Sequence, residues 1–260
     1  MAKNSNQNII LHTKNKPMYS NQKTQIFLLH FAGGSCYSFD FLKNDIQNNI
    51  ECHALELPGR GKRNQETHLF KKTDAILDYV NQIKKLRDKN LPYMIYGHSM
   101  GATLGLSVVQ KMEEHLDPPL ILIVSGNPGP GVSYNDKERH ALSDSNLKIE
   151  LRSLGGIPEE ILEDADLYNY FSPIMRADFE ILEKYKHSEV GLIVNTPIFA
   201  IMGDKEETVT DIANWKKYTN RKFDYRILPG NHFFIHRQVK PLAKIINECA
   251  DYLLVDIQSA

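Results

Sequence analysis

The sequence predicts an α/β fold: a mostly parallel central sheet flanked by helices, with a helical lid insertion in the second half. Three observations predict it. Short, nearly continuous apolar runs recur along the chain, as strands buried on both faces require. Stretches of helical periodicity separate them, so each connection is a right-handed crossover and neighbouring strands run parallel. One of the runs leads directly into Gly97-His98-Ser99-Met100-Gly101 and a small-residue helix.

The elements follow in order. Gln25 to Phe31 is the first apolar run, and Ile50 to Leu57 is a second strand stopped by Pro58-Gly59. Thr73 to Lys89 is an amphipathic helix with Ile76, Val80, Ile83 and Leu86 on one face. Tyr93 to Tyr96 is the strand before the pentapeptide, and Ala102 to Val109 the helix after it. Leu120 to Val124 is another buried strand, closed by a Gly/Pro-rich turn. Ile198 to Met202 and Phe223 to Leu228 are the last two strands, and Lys240 to Leu254 is the closing helix. Pro241 is compatible with that helix's first turn.

Residues 133–188 break the alternation: they carry helical patterns and no strand. Pro158 with Glu159 and Glu160 resembles a helix first turn. Ser172-Pro173 reads as an N-cap and N1 pair opening a helix that turns Ile174, Met175, Phe179 and Leu182 inward. Substrate sites in open α/β sheets lie beyond the carboxyl ends of the strands. A helical insertion on that side caps the site. The expected organisation is therefore a polar tail over residues 1–23 and one domain over 24–260 with its insertion at about 133–188.

Composition narrows the function. The 260 residues carry a net charge of −1, which gives no electrostatic case for nucleic acid or an anionic membrane. No apolar stretch is long enough to span a bilayer, and the N-terminus has no secretory pattern. Cys36, Cys52 and Cys249 are odd in number and lack metal-ligand spacing, so a reduced, cytoplasmic chain without disulfides is expected.

The Gly-x-Ser-x-Gly pentapeptide carries the chemistry. Strand, sharp turn and helix are the context of a nucleophile elbow, with Ser99 at a helix N-terminus that favours a developing anion. A serine nucleophile needs a base, an acid that orients the base, and oxyanion donors. His232 follows the last strand, where a base projects over the sheet, and His236 is its nearby rival. The Glu that a zinc-binding helix carries after its first His is replaced by Phe233, so no metal is expected. His98 is read as structural, because neighbouring side chains diverge at such a turn. The loop after the fifth strand offers two acids, Asp204 and Glu206. The oxyanion donors are the backbone N–H of Met100 and that of Ala32, in the loop His30 to Ser35, whose Gly33-Gly34 permits close approach. Gly59-Arg60-Gly61 lacks the Lys-Ser/Thr ending of a phosphate cradle and is read as a turn.

Together these residues resemble the type II thioesterases of nonribosomal peptide and polyketide assembly lines, within the α/β-hydrolase fold. The matching motifs, in order, are Phe31 to Gly34, Leu57 to Gly61, Gly97 to Gly101, Leu154 to Pro158, Pro173 to Phe179 and Leu228 to Phe234. The resemblance runs from about Ile26 to Leu254. Departures are His30 where the family has Pro, Asn231 where it has Gly, and a changed acid motif. Aligning Gly203 and Val209 puts Glu206 at the family's Asp position, with Asp204 as the second candidate.

The resemblance implies hydrolysis of acyl thioesters on the phosphopantetheine arm of carrier proteins, clearing mis-primed or stalled carriers. It implies no cofactor beyond that arm, an acyl pocket with Ile174, Met175 and Phe179 as candidates, and a monomer. Arg60, Lys62 and Arg63 are candidate contacts for an acidic carrier. Arg176 and Asp178 are candidates for an ion pair within the cap or for a substrate role. Three rivals share the pattern: an acyltransferase, a general carboxylesterase and a non-catalytic carrier-binding module.

Overall fold

The computed structural model describes residues 22–132 and 137–258. The tail expected over 1–23 thus lies outside the described residues up to position 21, as do the first four residues of the expected insertion.

Six strands form one parallel sheet in the order β2-β1-β3-β4-β5-β6. They are β1 (Thr24–Leu29), β2 (Ile50–Ala54), β3 (Tyr93–His98), β4 (Leu122–Ser125), β5 (Ile198–Gly203) and β6 (Phe223–Leu228). β1 and β3 are buried at every position, which accounts for their nearly continuous apolar runs. β2 is an edge strand, and only Ile50 is buried along it. It ends earlier than the sequence suggests. Leu55 N–H still pairs with Leu28 O at 3.0 Å, and the chain then leaves the sheet.

Alternating side chains divide the core in two. Phe27, Leu29, Ile95, Leu122 and Val124 face α1 (Lys72–Leu86) and α2 (Met100–Glu114). Ile26, Leu28, Met94, Tyr96 and Ile123 face α6 (Val239–Gln258) and the turn around Leu42. On α1, Ile76, Val80 and Ile83 are buried as the periodicity requires, and Tyr79 joins them. Leu86 is 43% exposed, because the helix ends on it.

The chain moves outward from β1 to β2, then crosses back over β1 through α1 to place β3 on its other side. This reversal separates the loops after β1 and β3 and opens a crevice at their carboxyl ends.

Between β4 and β5 lie α3 (Asp144–Leu154), α4 (Glu159–Glu163) and α5 (Ala165–Glu183). They have a small core of their own from Leu147, Leu151, Leu162, Tyr168, Met175 and Phe179. Here the structure corrects the expected N-cap. The N-cap of α5 is Asp164, whose carboxylate accepts from Asp166 N–H and Leu167 N–H, both at 2.9 Å, and Pro173 sits inside the helix. Proline at that position leaves the carbonyl of Asn169 without its helical donor. Both residues are on the exposed side of α5, where a missing helical bond costs less than in the core, and the helix continues.

Candidate active site

The elbow explains its own sequence. Ser99 has φ 54° and ψ −110°, a left-handed backbone that is rare for a residue with a side chain. Its backbone is held on both sides: Ser99 N–H donates to Ser125 O at 2.8 Å, and Ser99 O accepts from Ala102 N–H at 3.1 Å, from Thr103 N–H at 3.3 Å and from Asn127 Nδ2 at 3.3 Å. The flanking glycines are required by contact. A Cβ on Gly97 would lie 2.1 Å from Gly101 O, and one on Gly101 would lie 2.1 Å from Leu29 O. Ser99 is half-buried and stands at the N-cap position of α2, where its side chain makes no capping hydrogen bond.

His98 points away from Ser99 into the interior. It is fully buried, with Nδ1 2.7 Å from Ser125 Oγ. Burial pushes its pKa well below the ordinary value, and the nearby His232 adds to the effect. It is therefore neutral.

The structure separates the two candidate acids. Glu206 Oε2 lies 2.9 Å from His232 Nδ1, while Glu206 Oε1 accepts from Gly203 N–H at 2.7 Å. A carboxylate can only accept, so Nδ1 carries the imidazole proton and Nε2 keeps its lone pair. Asp204 is exposed and accepts from Gly230 N–H at 2.8 Å. It fastens the loop after β6 to the loop after β5 and makes no contact with the imidazole. The rival histidine, His236, packs on the Phe41 ring at 4.8 Å between centroids and is not part of the cavity wall.

Ser99, His232, Glu206 and Ala32 line one cavity of about 610 Å³. Among the described residues, neither Ala32 N–H nor Met100 N–H has a hydrogen-bond acceptor. The insertion supplies a largely apolar wall from Leu151 and Leu154 of α3, Ile157 and Ile161, and one face of α5, alongside the paired Arg139 and Glu183. That face is Phe171, Met175 and Phe179, four residues apart. Of the three expected pocket residues, Met175 and Phe179 line the cavity. Ile174, a third of a turn away, is buried but does not line it. Phe171, Leu151 and Ile157 are additional wall residues, and the i, i+4 spacing back from Met175 was the signal for Phe171. The insertion sits close over the site. A Cβ on Gly33 would lie 2.2 Å from Met175 Sδ, and one on Gly156 would lie 2.2 Å from the Phe233 ring.

Several charged residues lie elsewhere than expected. Arg60 is not at the surface. It is 2% exposed and pairs with Asp178 through both terminal nitrogens, at 2.6 and 2.8 Å. Arg63 is tied to Glu66 and Asp78. Lys62 alone of the three is exposed, 5.7 Å from the Tyr37 ring centroid. Arg176 does not pair with Asp178 within the insertion. It donates to the carbonyls of His140 and Leu142 and to Asp144, bracing the start of α3 against α5. Cys36, Cys52 and Cys249 are free thiols, and Cys249 alone is fully buried.

His30, which replaces the family's proline, is fully buried. Nδ1–H donates to Phe31 O at 2.9 Å, and Nε2 accepts from Leu57 N–H at 3.4 Å. Burial, with Arg60 nearby, lowers its pKa to about 4. Between pH 6.5 and about 4 the unfolded chain therefore binds a proton that the folded chain refuses, and stability falls as the pH falls. The loss amounts to about 3 kcal/mol across that window. Denaturant midpoints measured from pH 7 to 4.5 should fall less steeply in His30→Gln than in the wild type. Parallel pH slopes would show that His30 titrates normally.

The sequence model of the thioesterase domain family matches residues 24–249. The chain belongs to the thioesterase domain family. This thioesterase is 30% identical over 225 residues to the gramicidin S biosynthesis protein GrsT of Aneurinibacillus migulanus, covering 85% of this chain and 87% of that one. It is 28% identical over 227 residues to the medium-chain S-acyl fatty acid synthase thioesterase of Rattus norvegicus, covering 84% of each. Among solved structures, ClbQ from the colibactin NRPS/PKS pathway superposes with a TM-score of 0.83 at 26% identity, covering 90% of this chain and 99% of that one. The thioesterase thus has the α/β-hydrolase fold.

Proposed function

We propose that the chain is a type II thioesterase that removes acyl groups from the phosphopantetheine arm of carrier proteins, clearing mis-primed or stalled carriers of a peptide or polyketide assembly line. The observation that carries the reading is one cavity. At one end lie Ser99, a carboxylate-held imidazole and Ala32, and among the described residues neither the Ala32 N–H nor that of Met100, next to Ser99 in the chain, has an acceptor. At the other is a largely apolar wall from a helical insertion. The relatives point the same way. Gramicidin S biosynthesis, an S-acyl fatty acid synthase thioesterase and the colibactin NRPS/PKS pathway appear in their names.

In this reading His232 Nε2 takes the proton from Ser99 Oγ as the oxygen attacks the thioester carbonyl. The N–H groups of Ala32 and Met100 hold the resulting oxyanion. Collapse expels the pantetheine sulfur, which receives the proton from His232. Water, deprotonated by the same nitrogen, then releases the acid and regenerates Ser99. Glu206 keeps the imidazole in the required tautomer and stabilises its charged form. No metal and no bound cofactor enters these steps, since the arm arrives with the carrier. The insertion acts as a lid, with Met175, Phe179 and Phe171 against the acyl chain. Lys62 is the basic residue left at the surface for an acidic carrier. The enzyme works as a monomer in the cytoplasm. No helix among the described residues is long and apolar enough to cross a membrane.

The test compares an acyl-phosphopantetheinyl carrier protein with a simple ester of the same acyl group, with and without an amine acceptor. Free thiol and free acid in equal amounts, with kcat/KM far higher for the carrier, support the reading. Faster turnover of the simple ester makes the chain a carboxylesterase, and an acylated acceptor in place of the acid makes it an acyltransferase. Carrier binding without turnover leaves a binding module.

A further inference from the structure

The loop that carries Ala32 is held from outside by buried charged side chains. Gly33 N–H donates to Asp178 Oδ2 at 2.8 Å. The same carboxylate receives both arms of Arg60, and one of those nitrogens lies 3.4 Å from Gly34 O. Glu56, 4% exposed, accepts from Cys36 N–H at 2.9 Å and from Lys62 N–H at 2.7 Å. His30 holds Phe31 O. The backbone on both sides of Ala32 is thus fixed by side chains, while Ala32 N–H itself is left without an acceptor.

Stability alone does not explain the Arg60–Asp178 pair. Both side chains are almost fully removed from water, at 3% and 0% exposure, and desolvation offsets most of the attraction of such a pair. Arg60 Nε is also buried without a partner, a further cost. What the pair does achieve is directional: a bidentate fork fixes the carboxylate plane, and the carboxylate fixes the Gly33 peptide. Asp178 belongs to α5, one turn from Met175 and one residue from Phe179, so the same helix that walls the cavity also holds this loop.

We infer that Asp178 and Arg60 are positioning residues for the anion site: they orient the Gly33 peptide and through it the Ala32 N–H. This rests on the hydrolase reading above. A donor held for a developing oxyanion acts in the transition state rather than in substrate binding. Losing its alignment lowers kcat and leaves KM in place.

The experiment uses Asp178→Asn, whose NH₂ cannot accept from Arg60 and so breaks the bidentate fork that orients the group, and the double variant Arg60→Met with Asp178→Leu, which replaces the pair by apolar groups of similar size. Three quantities are read for each: kcat and KM for an acyl-carrier thioester, the Kd of a boronic acid that forms a tetrahedral adduct with the serine, and Tm. The expected result is a kcat lowered by about 10- to 100-fold in both variants, KM within about threefold, and boronate affinity lowered by the same factor as kcat. The double variant should melt close to wild type, which separates positioning from folding. Should it fail to fold, Asp178→Asn decides alone. Wild-type kcat and boronate affinity in a folded variant overturn the inference, as does a loss that merely follows Tm. Absence of Ser99-dependent turnover in the wild type is a different outcome, and it overturns the hydrolase reading first.

Discussion

Replacing Ser99 by alanine is expected to lower thiol release from an acyl carrier by about 10⁶-fold, to the level left by binding and the oxyanion donors alone. The folded structure should survive, because the Ser99 contacts that hold the elbow are backbone contacts, N–H to Ser125 O and O to Ala102 N–H. The same site predicts a separation of stability from activity. Ser99 has φ 54°, a conformation that costs a residue with a Cβ about 1–3 kcal/mol and costs glycine little. Ser99→Gly should therefore be as inactive as Ser99→Ala yet melt higher. Equal melting temperatures for the glycine, alanine and wild-type proteins would show that the elbow stores no strain.

The second large effect concerns the acid. Glu206→Gln should lower kcat by about 10²- to 10⁴-fold, because an amide can present its NH₂ to Nδ1 and favour the wrong tautomer. Asp204→Asn should leave kcat within a few-fold of wild type. An asparagine oxygen can still accept from Gly230 N–H, the one contact the Asp204 carboxylate makes with the loop after β6. Kinetics of both variants on one acyl carrier decide the matter. A crippled Asp204→Asn beside an active Glu206→Gln would assign the acid to Asp204 and remove Glu206 from the proposed mechanism.

The two carboxylates also show where sequence reasoning reaches its end. Both lie within three residues of the end of β5, and chain order alone admits either. The choice is made by the tight turn in which Glu206 N–H bonds Gly203 O while Glu206 Oε1 accepts from Gly203 N–H. That turn swings Glu206 toward β6 and leaves Asp204 in solvent. The inner strands β1, β3, β4 and β5 were legible because burial on both faces leaves them mostly apolar. β3 and the elbow were legible because close backbone contacts dictate glycine at positions 97 and 101.

The insertion was harder to read. Ser172-Pro173 has the composition of a helix start, but a proline on the solvent side of a packed helix is tolerated. The true cap, Asp164, is an ordinary acidic residue among several. Arg60 has the sequence surroundings of a solvated surface residue, next to Lys62 and Arg63. Its partner Asp178 lies more than a hundred positions away, and no local pattern connects them. The resemblance to a family singled out both segments without saying that they meet.

Release of free thiol from an acyl-phosphopantetheinyl carrier protein by wild type and by Ser99→Ala bears directly on the proposed Ser99-dependent hydrolysis. That hydrolysis requires catalytic release by the wild type, one free acid per thiol, and none above background from Ser99→Ala. Equal release by the two proteins, or none by either across short, medium and long acyl groups, would contradict it.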